Sequence, residues 1–303
     1  MKRLSILLTG ADGQLGTELT PLLSRCGDVV ATDLAQLDLA NPDAIVAAMR
    51  GLKPDLIVNA GAYTAVDRAE TDTGLAFAVN ARAPAILAEE AKRLSAVLVH
   101  YSTDYVFDGT RTTPYSEQDL AKPMNVYGAS KLEGEQAIAS IGAHALVLRT
   151  SWVYGRHGKN FLLTIQKLAA ERDEIRIVAD QVGVPNWTRS LATATARLVD
   201  LGLPGLAERS GLYHFSSTGA ASWFEFARAI VGDVPRPRVL PITTADYPTP
   251  ARRPAYGVLS TALFRNTFGF GLPDWRDALG ACLAGPALPE GYRHPSAAAA
   301  PTA

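Results

Sequence analysis

Tyr127 and Lys131 stand four residues apart in Tyr-Gly-Ala-Ser-Lys. On a helix that spacing puts both side chains on one face. A phenol is a weak acid-base group near neutrality, because its reference pKa is about 10. A neighbouring ammonium favours the phenolate and lowers that value. Such a pair can protonate an alkoxide developing at a reduced carbonyl. A second constellation precedes it: Gly10-Ala-Asp12-Gly13-Gln14-Leu15-Gly16, three glycines at intervals of three. Glycines at this spacing let a backbone turn tightly and approach a pyrophosphate, which a helix N-terminus then binds through free N–H groups. The spacing differs from the more familiar G-x-G-x-x-G, so the reading depends on a strand before the loop and a helix after it.

Both contexts are present. Leu4–Leu8 is a compact apolar run, and Gln14–Arg25 carries leucines at helical spacing. Further strands are predicted at Val29–Thr32, Asp55–Asn59, Ala96–Tyr101 and Ala145–Leu148. The predicted helices between them cover 43–52, 73–94 and 125–141. Strands that read apolar throughout, alternating with helices, indicate an α/β fold with a Rossmann-type, doubly wound parallel sheet covered on both faces. Ser102-Thr103-Asp104 follows the fourth strand, where ligands bind in such sheets. Asp33 ends the second strand, where a carboxylate accepts ribose hydroxyls and repels a 2′-phosphate. Asp38, with Leu39 beside it, is the alternative, and the choice between NADPH and NADH stays open.

Beyond residue 150 the rhythm loosens. Helices are expected at 161–172, 188–201, 223–231 and 275–283, and strands at 175–179 and 213–216. The stretch 235–254 reads as an ordered loop. The expected division is a cofactor-binding domain over 1–150, to which later segments can return, and a smaller substrate-binding lobe over 151–285. The Ala/Pro-rich tail 286–303 reads as disordered.

The formal net charge of -1 gives no reason to expect nucleic acid. Cys26 and Cys282 have no metal-type spacing, and the histidines form no cluster. They read as packing residues in a reducing compartment, with no catalytic metal. The N-terminal apolar run is too short for a signal peptide, and no stretch is long enough to span a bilayer. The expectation is a cytoplasmic protein without a membrane partner.

Taken together, the glycine loop, the Ser102-Thr103 step and Tyr127-x-x-x-Lys131 resemble the extended short-chain dehydrogenase/reductase family. That resemblance implies that Thr103 holds a substrate carbonyl, Tyr127 donates the proton, and Lys131 binds the nicotinamide ribose and tunes Tyr127. Ala60, Gly61 and Ala62 look like the segment lining the cofactor, and Asn80 like the asparagine that supports the site. Longer blocks resemble the dTDP-4-dehydrorhamnose reductase family: residues 62–70, 100–107, 125–128, 149–154, 180–183 and 247–251. This implies reduction of the C4 ketone of a dTDP-linked 4-keto-6-deoxysugar, dTDP-4-dehydro-L-rhamnose, to dTDP-L-rhamnose. Matching positions imply sugar contacts from Thr64, Val66, Asp104, Tyr105 and Trp152, and a diphosphate contact from Arg253 with Arg252 beside it.

After Gly183 the chain departs from the family pattern. Arg189 and Ser190 offer no acidic ligand for a metal bridging two subunits, which puts a metal-linked dimer in doubt and leaves monomer or homodimer open. Three alternatives stay open. One is another dTDP-4-keto-6-deoxysugar reductase. A second is a non-catalytic nucleotide-binding subunit, which the presence of Thr103, Tyr127 and Lys131 disfavours. The last is an epimerase or dehydratase, disfavoured because Asp104 lacks a second carboxylate beside it.

Overall fold

The alternation of apolar runs with helical spacing becomes, in the computed structural model, a parallel sheet between two layers of helices; residues 3–285 are described. The first half runs β1 (Leu4–Thr9), α1 (Gln14–Cys26), β2 (Gly27–Thr32), α2 (Pro42–Leu52), β3 (Leu56–Asn59), α3 (Val66–Ala69), α4 (Thr73–Phe77), α5 (Ala83–Leu94), β4 (Val97–Thr103), α6 (Val126–Ile141) and β5 (Ala145–Thr150). The second half runs β6 (Val153–Tyr154), α7 (Phe161–Glu171), β7 (Glu174–Val178), β8 (Val182–Gly183), β9 (Asn186–Trp187), α8 (Thr188–Val199), α9 (Gly202–Glu208), β10 (Gly211–His214), β11 (Ala221–Ser222), α10 (Trp223–Val231), β12 (Arg238–Ile242), α11 (Ala262–Phe268) and α12 (Trp275–Ala284).

The main sheet has the order β10-β5-β4-β3-β1-β2, with parallel pairing throughout. Its central strands read apolar because they feed two cores. Ile6, Leu8, Val58 and Val99 pack with Leu19 and Leu23 of α1 and Leu191 of α8. Leu7, Ile57 and Leu98 pack on the other face with Met49, Leu87 and Ile138 of α2, α5 and α6. The chain leaves β1 toward β2 on one side and toward β3 on the other. That switch point, where open α/β sheets bind ligands, falls at Gly10.

Several segments from beyond residue 150 join this body. β10 extends the sheet beside β5, and α8, α9 and α11 place residues in the same core as α1. The remaining lobe has its own core, which includes Tyr154, Leu162, Phe226 and Trp275. Several expectations change. The predicted helix over 73–94 is interrupted by a π-helical turn at Ala78–Arg82. The stretch 235–254, read as loop, contains β12, which pairs in parallel with β7 alone. Pro241 hid it: proline cannot donate to a ladder, but a strand paired on one side only tolerates it. α9 and α11, two short helices of seven residues each, were not anticipated. The tail 286–303 lies outside the described residues. Among the described residues no helix is long and apolar enough to cross a membrane.

Candidate active site

The glycine loop closes at the carboxyl end of β1. Gly10 has φ +69°, and a Cβ there would lie 2.7 Å from the Gly61 Cα. A Cβ on Gly16 would lie 2.1 Å from the Gly10 carbonyl oxygen, so only glycine lets α1 start this close to β1. Gly13 caps α1 without a side-chain hydrogen bond, and no acidic residue sits in the first turn. The first N–H groups, at Gln14, Leu15 and Gly16, are thus not capped by a side chain. A crowded glycine cradle under an uncapped helix end fits a dinucleotide pyrophosphate. Asp12 is exposed at the rim.

The flanking positions gather here too. Gly61 follows β3 with its N–H 3.4 Å from Thr9 Oγ1, and Leu39 is buried against it. Ala60 donates to the Thr9 carbonyl at 3.3 Å. Asp33 and Asp38 each commit one carboxylate oxygen to the backbone. Asp33 Oδ1 accepts from Ala35 N at 2.8 Å, and Asp38 Oδ1 from Ala40 N at 2.8 Å. Both therefore shape the loop after β2.

Asn80 sits in the π-helical turn, fully buried. Its Oδ1 accepts from Tyr63 N at 2.9 Å, and its Nδ2 donates to Tyr63 O and Ser130 Oγ, both at 3.0 Å. Its amide joins the 61–65 loop to α6, a supporting position of the kind the resemblance implied. Ala62, Thr64 and Val66 lie on or next to that loop, and Thr64 is exposed.

α6 carries Tyr127 and Lys131. Asn125 caps it, accepting from Gly128 N at 2.8 Å and donating to the Arg252 carbonyl at 2.8 Å. Two glycines let the helix come close. A Cβ on Gly128 would meet Tyr105 O at 2.1 Å, and one on Gly134 would meet Asn80 O at 2.2 Å. Tyr127 lies beside Thr103, which donates to Asp104 Oδ1 at 3.2 Å. The Tyr105 ring meets Tyr127 edge-on at 5.6 Å.

Electrostatics differ from the sequence expectation. Burial pushes the Tyr127 phenol above its ordinary value, and the neighbouring Thr103 opposes this only in part. The Lys131 ammonium donates to the Tyr101 carbonyl at 2.7 Å and lies 3.2 Å from His100 Nε2. Burial pushes Lys131 down to about 8, with Glu135 one turn on pulling it back up. Burial also lifts Asp104 to about 7, against the hydrogen bond from Thr103.

Arg253 is half-buried and doubly held. It donates to Tyr105 OH at 3.0 Å and to Asp67 Oδ2 at 2.7 Å. Arg252 is exposed, and its backbone carbonyl accepts from the Asn125 cap of α6. Trp152 has φ +42° and stacks on Trp223 at 3.5 Å with the planes 6° apart. Asp67, Trp223, His100 and Glu135 were missed as site residues. Of these, only Glu135, four residues after Lys131, had a spacing that could have flagged it. Arg189 pairs within the chain with Glu18 of α1. Among the described residues no group of three or more His, Cys, Asp or Glu side chains is arranged to hold a metal.

The model of the RmlD substrate binding domain family matches residues 4–287. A dTDP-4-dehydrorhamnose reductase of Burkholderia thailandensis is 48% identical over 292 residues, spanning 92% of this chain and 98% of that protein. A Streptomyces antibioticus protein, named probable dTDP-4,6-dihydroxy-2-methyloxan-3-one 4-ketoreductase, is 42% identical over 278 residues, 90% of this chain and 92% of its own. The crystal structure of a dTDP-4-dehydrorhamnose reductase from Bacillus anthracis, in complex with NADP, superposes with a TM-score of 0.87 at 35% identity. It covers 93% of this chain and 99% of that one.

Proposed function

Because this chain belongs to the dTDP-4-dehydrorhamnose reductase family, we propose that it reduces the C4 ketone of dTDP-4-dehydro-L-rhamnose to dTDP-L-rhamnose, with Tyr127 as proton donor. The observation that carries the residue assignment is the placement of Thr103, at the carboxyl end of β4, beside Tyr127 of α6, with Lys131 one turn further along that helix. NADPH, or NADH, fits the glycine cradle, where Gly10 to Gly16 would hold its pyrophosphate; when bound it supplies the hydride.

Thr103 orients the carbonyl by donating to its oxygen. Tyr127 gives its phenolic proton to that oxygen as negative charge develops on it. A donor must hold its proton beforehand, and burial keeps Tyr127 protonated. The buried phenolate left behind is costly, and the Lys131 charge offsets that cost. Arg253, braced by Asp67 and Tyr105, takes the diphosphate. Thr64, Val66, Asp104, Tyr105 and Trp152 line the sugar. On this reading residues 1–150, completed by β10, carry the cofactor, and most of 151–285 carries the sugar nucleotide. The enzyme is cytoplasmic, a monomer or homodimer, and takes neither nucleic acid nor membrane as partner.

The deciding experiment follows loss of NADPH and NADH absorbance with dTDP-4-dehydro-L-rhamnose and identifies the product. Formation of dTDP-L-rhamnose supports the reading. The Streptomyces relative favours one other outcome, turnover of a differently deoxygenated keto-sugar, so that substrate class belongs in the same assay.

Gly183 tests the Trp152 assignment. A Cβ there would lie 2.5 Å from Trp152 Cε2, while Trp223 stacks on the same indole. Gly183→Ala should displace the ring and raise KM for the sugar nucleotide about ten-fold, roughly the effect of one lost contact. NADPH affinity, measured by fluorescence titration, should stay within about two-fold. An unchanged sugar KM would remove Trp152 from the sugar site.

A further inference from the structure

We propose that His100 is a positioning residue for this reaction: its neutral imidazole accepts a hydrogen bond from the Lys131 ammonium and holds that charge one helical turn from Tyr127. The proposal rests on the role given to Lys131 above.

Thr9, Asn59 and His100 occupy one rung of the parallel sheet, on β1, β3 and β4. Their side chains form a continuous row. Thr9 Oγ1 donates to Asn59 Oδ1 at 2.7 Å, Asn59 Nδ2 lies 2.9 Å from His100 Nδ1, and His100 Nε2 lies 3.2 Å from Lys131 Nζ. All four residues are at most 2% exposed. Polar side chains buried in apolar strands cost stability unless they are hydrogen-bonded. Here each satisfies the next, and the row runs from the end of β1, beside the glycine loop, to the Lys131 ammonium. Structural packing alone would be served by the aliphatic residues that fill the neighbouring rungs.

The chemistry sets the direction of the last bond. An ammonium only donates, so His100 Nε2 must present its lone pair and Nδ1 must carry the proton. A half-turn of the Asn59 amide exchanges its oxygen and nitrogen between Thr9 and His100 and accommodates that tautomer. Burial and the Lys131 charge hold His100 well below its ordinary pKa, so it stays neutral. With one N–H given to Tyr101 O and one to His100, Lys131 keeps its third for the reacting side.

Other ionisable groups around Lys131 are few. α6 contributes Tyr127 and Glu135, one turn to either side, and Glu135 is itself paired with Arg149 of β5. β4 contributes His100 and the Tyr101 carbonyl, and β3 the neutral Asn59. Burial already favours loss of the Lys131 proton, with its pKa near 8. A hydrogen bond accepted from the ammonium opposes that loss. Removing the acceptor therefore lowers the Lys131 pKa, and activity that needs the charge falls off at a lower pH.

Two substitutions separate the two ends of the ring. The amide of His100→Asn overlays Nδ1 and keeps Asn59 but falls short of Lys131. The amide of His100→Gln overlays Nε2 and keeps Lys131. The pH profile of kcat and KM is measured for the wild type, both variants and Lys131→Met, with thermal melting to compare folding. His100→Asn should lower kcat about ten-fold and move the alkaline limb down by about one pH unit, with little change in sugar KM. His100→Gln should keep the wild-type limb. Equal losses in both variants with an unmoved limb would mean a purely structural histidine and would overturn the proposal. So would a moved limb in His100→Gln, even if that variant alone folds. Full activity in Lys131→Met would instead overturn the role of Lys131 itself.

Discussion

Tyr127→Phe should lower kcat by about three orders of magnitude while NADPH affinity stays nearly unchanged, because proton transfer by a positioned group contributes about 10²- to 10⁴-fold. The substitution removes one oxygen and little else. The ring keeps its edge contact with Tyr105 at 5.6 Å and its place on α6. Thr103 keeps its hydrogen bonds to Asp104 and from the Tyr105 N–H. The change does not touch the glycine cradle proposed above to hold the cofactor pyrophosphate. The carbonyl would then be polarised by Thr103 alone, with no proton to quench the alkoxide. Single-turnover kinetics with purified keto-sugar measures the loss, and fluorescence titration measures cofactor affinity. A variant retaining more than about a tenth of wild-type kcat would exclude Tyr127 as the main donor.

Glu135→Ala should cost about 3–5 kcal/mol of folding stability, the usual penalty for removing one partner of a buried ion pair. Glu135 accepts from Arg149 Nε at 2.9 Å and Nη2 at 2.5 Å, and from Ser102 Oγ at 2.5 Å. Both ion-pair partners are buried. Without the carboxylate, Arg149 would remain in the core with the Phe107 ring beneath it at 5.0 Å but no counter-ion. One of its terminal nitrogens, Nη1, already lacks a hydrogen-bond partner. The exposed Arg68–Asp72 pair on the surface provides the comparison. Arg68→Ala should cost less than about 1 kcal/mol, because solvent screens such pairs. Urea denaturation of the two variants against wild type measures both effects. Similar losses in the two would show that the Glu135–Arg149 pair does not anchor α6 to β4 and β5.

The two chemical motifs were legible because their requirements are local. A loop that must bring backbone beside a phosphate needs glycine at Gly10 and Gly16, and a helical pair needs the interval between Tyr127 and Lys131. The sheet was legible for a related reason: strands buried on both faces must be mainly apolar, and the runs Ile6–Leu8, Leu56–Val58 and Val97–Val99 of β1, β3 and β4 are. Where a local signal was weak, the reading failed. Pro241 concealed β12, and the interval 73–94 kept its helical pattern across the π-helical turn that carries Asn80. Asp67 and Trp223 bore no spacing relation to Arg253 and Trp152, so nothing local marked them.

By itself, then, the sequence determined the fold class, the glycine loop between strand and helix, and the Tyr127–Lys131 pair on one helix face, since each depends on residue types at short, fixed intervals. Only the tertiary structure decided what those residues touch. It gave Lys131 to His100 and Tyr101, Arg253 to Asp67 and Tyr105, and Trp152 to Trp223. Each of these contacts joins groups from separate segments of the chain. Their distances, and the burial that moves the Tyr127 and Lys131 pKa values in opposite directions, arise when the helices close on the sheet. Interval patterns along a chain do not encode that closure, because packing is a property of which surfaces meet.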